Sequence, residues 1–262
     1  MPPAPEQIKT IWVSTAPRTG SMWLYNVTRE VLRCGGLEVL PESVPSNHEE
    51  VLAIARQRAW VDEDPNRIWV LKLHRILRPD LPHSLFITCR RDPRDVVVSY
   101  RRFMRTSFEQ SLSAPRSMFD HLAAYGAALP SERLFVSDYD GITASPELLI
   151  QSLAQFLGQS LSADQVTAIA EMYARKKVQQ RIDEAEKRLH HKIATNQPIS
   201  HHEVVMLEAG NYRAFDQSTG FQSGHMNADP NQNWRTQLSD EEKAICLKEF
   251  GTWMRDNGYP SE

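Results

Sequence analysis

Short apolar, β-branched runs alternate with amphipathic stretches along the N-terminal half of the chain. Ile11–Thr15, Ile68–Leu73, Leu85–Cys89 and Leu134–Ser137 each read as a strand buried on both faces. Helical spacing fills most of the gaps. Trp23, Leu24, Val27 and Val31 form one stripe; Val96, Val97, Tyr100, Phe103 and Met104 form another. Asp92-Pro93 and Ser145-Pro146 are helix starts, and Ser162…Gln165 and Ser239…Glu242 are capping boxes. Strands that alternate with helices imply βαβ units. The expected fold is therefore α/β, a three-layer doubly wound sandwich with a mainly parallel sheet and a helical C-terminal half.

Two stretches depart from this rhythm. Lys176–Ile193 is highly charged, with Val178, Ile182, Ala185, Leu189 and Ile193 on a narrow stripe. It suits a surface helix, a lid or a packing contact. Asp216–Asn233 is rich in Gly, Asn, Gln and Ser and has no period, as a binding loop would be. With no repeat and no clear linker, one domain over residues 1–262 is expected. Residues 1–10 are read as a flexible start and 176–233 as a lid or substrate region.

Composition narrows the setting. No run approaches the roughly 20 apolar residues of a membrane span, and the proline-rich start does not resemble a signal peptide. Three scattered cysteines make no disulfide framework, so a reducing, cytoplasmic location is expected. A net charge of −3 gives no reason to expect nucleic acid as partner. Locally the balance differs: Arg90–Arg105 holds six arginines against two aspartates. Most of these arginines are read as a solvated face.

The strand–turn–helix at Ile11–Leu24 carries the candidate chemistry. A helix beginning after Gly20 aims unpaired N–H groups and its dipole's positive end at the turn, which makes an anion site. An ordinary P-loop needs Gly-Lys-[Ser/Thr], whereas Gly20 is followed by Ser21-Met22. A single glycine also cannot supply the dinucleotide fingerprint. The His190-His191 and His201-His202 pairs lack a cysteine or carboxylate cluster, so no metal site is expected.

What remains is Pro17-Arg18-Thr19-Gly20-Ser21-Met22-Trp23. It resembles the 5′-phosphosulfate loop of the sulfotransferases that use 3′-phosphoadenosine 5′-phosphosulfate (PAPS). Arg91-Asp92-Pro93-Arg94-Asp95-Val96-Val97-Val98-Ser99-Tyr100 is similar to their 3′-phosphate motif. Lys72-Leu73-His74 is similar to their Lys-x-His, and Tyr139-Asp140 to a segment with an adenine-contacting tyrosine. These matches stand in family order between Ile11 and Gly158, and the likeness weakens afterwards.

The resemblance implies PAPS as sulfuryl donor, without a metal. Arg18, Thr19, Gly20, Ser21, Met22 and Trp23 would hold its 5′ end and base. Arg91 and Ser99 would take the 3′-phosphate, and Tyr139 the adenine. Backbone N–H groups with the Thr19 and Ser21 hydroxyls suit a phosphate, and Arg91 can fork two donors onto one. His74 is the expected base, Lys72 the counter-charge on the transferring group, and Arg18 a purely electrostatic aid. No Arg or Lys lies between Asp216 and Asn233, where relatives carry a basic run. Gly224 and His225, or Arg213 or Arg235, are expected to substitute. The acceptor is read as a small soluble molecule with a hydroxyl or amine, facing Val44–His48, Phe103, Met104, Phe108 and the loop Asp216–Asn233. A phosphotransferase of the same fold and a catalytically silent nucleotide-binding protein stay open as alternatives, as does the oligomeric state.

Overall fold

A computed structural model describes residues 8–57, 64–206, 212–226 and 231–260. Its centre is a five-stranded sheet made of β1 (Thr10–Ser14), β2 (Glu38–Leu40), β3 (Arg67–Leu73), β4 (Ser84–Arg90) and β5 (Leu134–Asp138), in the order β2-β3-β1-β4-β5. All four neighbouring pairs are parallel. β2 has only three residues, too few to show a period.

Side-chain alternation along the strands builds two cores. Ile11 and Val13 of β1, with Ile68 and Val70 of β3, pack under α1 (Ser21–Cys34), α7 (Pro146–Phe156) and α8 (Ala163–Met172). Trp12, Trp69 and Leu71 face the other way, onto α2 (His48–Gln57) and α5 (Ser113–Ala128). Helices on both faces explain why the strands read as unbroken apolar runs. α5 escaped the sequence pattern because it is alanine-rich and contains Pro115, a residue its first turn tolerates.

α3 (Pro93–Met104) begins at Asp92, whose carboxylate accepts the Arg94 N–H at 2.9 Å. α4 (Phe108–Ser111) follows it, and α6 (Tyr139–Ala144) follows β5. α9 (Arg175–Ala194) is a packed helix: Val178 and Ile182 join the main core, and Ala185 and Leu189 rest on Ala214. β6 (Val204–Met206) and β7 (Tyr212–Ala214) make an antiparallel ribbon. α10 (Trp234–Gln237) and α11 (Asp240–Asp256) close the chain, α11 on its expected capping box.

The last residues of the expected flexible start are packed. Lys9 N–H donates to the His83 carbonyl at 2.9 Å and Thr10 is already buried in β1, while residues 1–7 lie outside the described residues. Part of the 216–233 loop, residues 227–230, also lies outside them.

Candidate active site

Four strand ends feed one cavity. β1 leads to Arg18, Gly20 and Ser21; β3 carries Lys72 and leads to His74; β4 leads to Arg91; β5 leads to Tyr139. All seven line a cavity of about 830 Å³ at the carboxyl edge of the sheet, where open α/β sheets bind ligands.

The first turn is shaped by backbone conformation. Arg18 and Gly20 take φ of 71° and 97°, so successive N–H groups converge. A Cβ on Gly20 would lie 2.6 Å from Ile142 Cδ1 and 3.2 Å from Tyr139 Cδ2, so only glycine lets α6 approach this closely. No side chain caps α1, and its first-turn N–H groups are left to the cavity.

Cations gather around that turn. Arg91 Nη1 donates to the Arg18 carbonyl at 2.8 Å, and its guanidinium lies 3.8 Å from the Tyr139 ring centroid. Arg18 Nε donates to Ser99 Oγ at 2.9 Å and Nη2 to the His225 carbonyl at 2.8 Å. Burial and the neighbouring Arg91 push the Arg18 pKa down to about 9. Burial alone takes Lys72 down to about 8. The only carboxylates among the described lining residues, Glu147 and Glu171, belong to α7 and α8. A cluster of buried cations beside unfilled N–H donors is a donor set for anions.

His74 has a defined tautomer. Its Nδ1–H donates to the Thr15 carbonyl at 2.7 Å, leaving the lone pair on Nε2, and Nε2 accepts from Lys72 Nζ at 3.1 Å. Burial first, then Lys72, holds its pKa well below 6.5. The neutral imidazole is therefore the resting form, with its basic nitrogen facing the ammonium.

A sequence model of the sulfotransferase domain matches residues 9–204. The chain belongs to the sulfotransferase domain family. Sulfotransferase 1C2 of Rattus norvegicus is 23% identical over 185 residues, 60% of this chain and 61% of that protein, so the match spans less than two thirds of its length. Two solved structures have a similar fold. Mouse sulfotransferase SULT7A1 complexed with PAP aligns at a TM-score of 0.59 and 14% identity, covering 94% of this chain and 85% of that one. Retinol dehydratase in a complex with retinol and PAP aligns at 0.55 and 15%, covering 98% and 82%.

Within this sulfotransferase fold most of the expected residues meet. Arg18, Gly20, Ser21, Met22, Trp23, Lys72, His74, Arg91, Ser99, Tyr139 and His225 all line the cavity. Trp23 is only 8% exposed and belongs to the main core as well as to the wall. Thr19 differs. Its hydroxyl donates to the Ala16 carbonyl at 2.8 Å and meets Thr15 Oγ1 at 2.9 Å, so it is turned into the loop and leaves only a backbone N–H for a ligand. Gly224 sits at φ 78° in a turn outside the lining; His225 is the residue of that turn that reaches inward. Its Nδ1 accepts the Gln222 N–H at 3.0 Å and its ring stacks on Phe103.

Other expectations are corrected. Phe108 is not a wall; it packs with Val97, Leu112 and Trp234 in a separate core. Arg94 is not solvated: it is 2% exposed, pairs with Asp92 at 2.7 Å and stacks 3.5 Å from the Trp234 ring centroid. Arg90 and Arg101 pair with Asp138 and Glu242. Neither basic substitute for the missing C-terminal run enters the lining: Arg213 stacks on Phe103 and donates to its carbonyl, and Arg235 lies over Trp234 at the surface. No cluster of three metal-ligating side chains exists among the described residues.

Sequence reasoning missed part of the wall. Ile142, Thr143, Glu171 and Arg175 also line the cavity, while Phe221 comes from the expected 216–233 loop. No local pattern marks the first four, because they converge only when α6, α8 and α9 pack around α1.

Proposed function

We propose that this protein is a PAPS-dependent sulfotransferase acting on a hydroxyl or amine of a small acceptor, with His74 as the base. One observation carries the reading: cations from three strand ends and a neutral, oriented imidazole share a single cavity. The residues suit the donor. The left-handed turn at Gly20 and the uncapped start of α1 fit its 5′-phosphate, with Arg18 against the charge that leaves. Arg91 and Ser99 fit the 3′-phosphate, and Tyr139 and Trp23 offer faces to the base.

Bound there, PAPS supplies the sulfuryl group, whose sulfur exchanges its bond to the 5′-phosphate oxygen for one to the acceptor while the electron pair leaves with the bisphosphate. The protein's part is proton and charge management. Thr15 fixes the His74 ring through Nδ1–H, so Nε2 is the nitrogen that takes the acceptor's proton. Rotation of the Lys72 ammonium toward a sulfuryl oxygen frees that lone pair and neutralises developing charge. The cysteines are free and no described helix is long and apolar enough to cross a membrane, which supports a cytoplasmic setting.

A thermal-shift panel tests the donor. Stabilisation that grows with 3′,5′-bisphosphoadenosine, and not with ATP–magnesium, is expected; the reverse ranking overturns the reading. Transfer of labelled sulfate that disappears in His74→Ala separates an enzyme from a silent binder.

A further inference from the structure

His48 opens α2 at the wall of the same cavity, and the scheme above gives it no task. Its ring centroid lies 5.5 Å from that of His74, edge to face at 65°. The turn before it is braced. Asn47 Oδ1 accepts the Glu50 N–H at 2.9 Å, and the Ser46 N–H and hydroxyl donate to the Glu50 carboxylate at 2.8 and 3.1 Å. The imidazole thus stands beside the base on a fixed support, yet it makes no hydrogen bond to another described residue. Burial, Lys72 and Arg75 all lower its pKa. It is therefore neutral, with one N–H to donate and one lone pair to offer.

Charge of both signs lines this cavity: Lys72, Arg18, Arg91 and Arg175, with Glu147 of α7 and Glu171 of α8. The nearby Glu49 side chain is 75% exposed and turns to Arg75 at 3.8 Å. Val44, Val51, Phe103 and Met104 supply an apolar part of the wall. A hydroxyl arrives neutral; it can donate to His74 Nε2 and accept from His48.

Building on the sulfotransferase reading, we infer that His48 orients the acceptor's hydroxyl against His74.

The test uses the full chain, PAPS and two alcohols, benzyl alcohol and 2-naphthalenemethanol. His48→Ala is expected to lower kcat/KM for each about three- to tenfold, as loss of one orienting hydrogen bond does. His48→Asn, which keeps an N–H donor, is expected to recover part of that loss. The affinity for 3′,5′-bisphosphoadenosine is expected to stay unchanged in both variants. A His48→Ala enzyme with undiminished alcohol turnover overturns the inference. So does a protein that binds the bisphosphate but sulfates neither alcohol; in that case the donor reading survives. Failure to bind the bisphosphate removes the donor reading itself, and this inference with it.

Discussion

Lys72 Nζ lies 3.1 Å from His74 Nε2, on the far side of the imidazole from the hydrogen bond that Nδ1 makes to Thr15. Lys72 lies in the last pleat of β3 and His74 directly follows the strand, and their contact places both side chains at its carboxyl end. One proton donor and one proton acceptor, each shifted by burial, therefore share a single contact.

That contact sets the pH profile. A base works only when deprotonated, and the His74 pKa lies well below 6.5, so no acid limb is expected at 6.5. Lys72 helps only when protonated, and its pKa is about 8, so kcat/KM for the donor should fall above that pH. Lys72→Arg should lift the alkaline limb beyond the assayed range while lowering the plateau, because arginine stays protonated. A pH–rate series on both enzymes checks this. An acid limb at or above pH 6.5 in the wild type contradicts it.

Lys72 should also weaken the fold that holds it. Its pKa is about 8 in the folded protein against an ordinary 10.5, so the unfolded chain holds the extra proton between those values. Stability therefore rises with pH across that window, and below it the full cost of the buried charge applies. Lys72→Met is expected to stabilise the protein by about 1 kcal/mol near pH 7, a rise of a few degrees in Tm, while sulfate transfer is lost. The gain should shrink as pH passes from 8 towards 10.5. Paired melting curves at pH 7 and pH 10 read both signs.

Gly20→Ala should fail for two reasons at once. The backbone there is left-handed, and the new methyl group would meet Ile142 Cδ1 at 2.6 Å. A destabilisation of about 1–3 kcal/mol is expected from the strain. Displacement of α6 should weaken bisphosphate binding about tenfold or more, since Tyr139 moves with that helix. Denaturant titration and calorimetry measure the two losses separately. Unchanged affinity would show that Tyr139 does not touch the nucleotide.

The Asp92–Arg94 pair should be structural. Both side chains are largely buried, the guanidinium makes two bonds to the carboxylate, and Arg94 also donates to the Pro260 carbonyl at 2.7 Å. Arg94→Ala would strand a buried carboxylate and is expected to lose about 3–5 kcal/mol, visible as a lower denaturation midpoint. The folded fraction should still bind the bisphosphate as the wild type does. A loss of affinity without a loss of stability would move Arg94 into the binding site.

Much of this molecule was legible in one dimension. Four of the five sheet strands, the turn at Gly20, the Asp92 cap and the capping boxes at Ser162 and Ser239 all rest on neighbours within a few residues. β2 was lost because three residues carry no period, and α5 because alanine gives no contrast between faces. The arginine segment was legible as a cluster but not as individual roles. Arg91 and Arg94 look alike in sequence, and only the packing of Trp234 and Pro260 assigns Arg94 to the interior.

The sequence by itself determined four of the five sheet strands, the turn at Gly20 and the nearness of Lys72 to His74, because hydrophobic period, turn chemistry and strand geometry act over short separations. Tertiary structure alone decided that Thr19 turns its hydroxyl inward, that Phe108 leaves the wall, and that His48 comes to rest beside His74. Those outcomes depend on how segments distant along the chain close-pack around α1 and the sheet, where excluded volume and the satisfaction of buried polar atoms choose among side chains that look equivalent in the sequence.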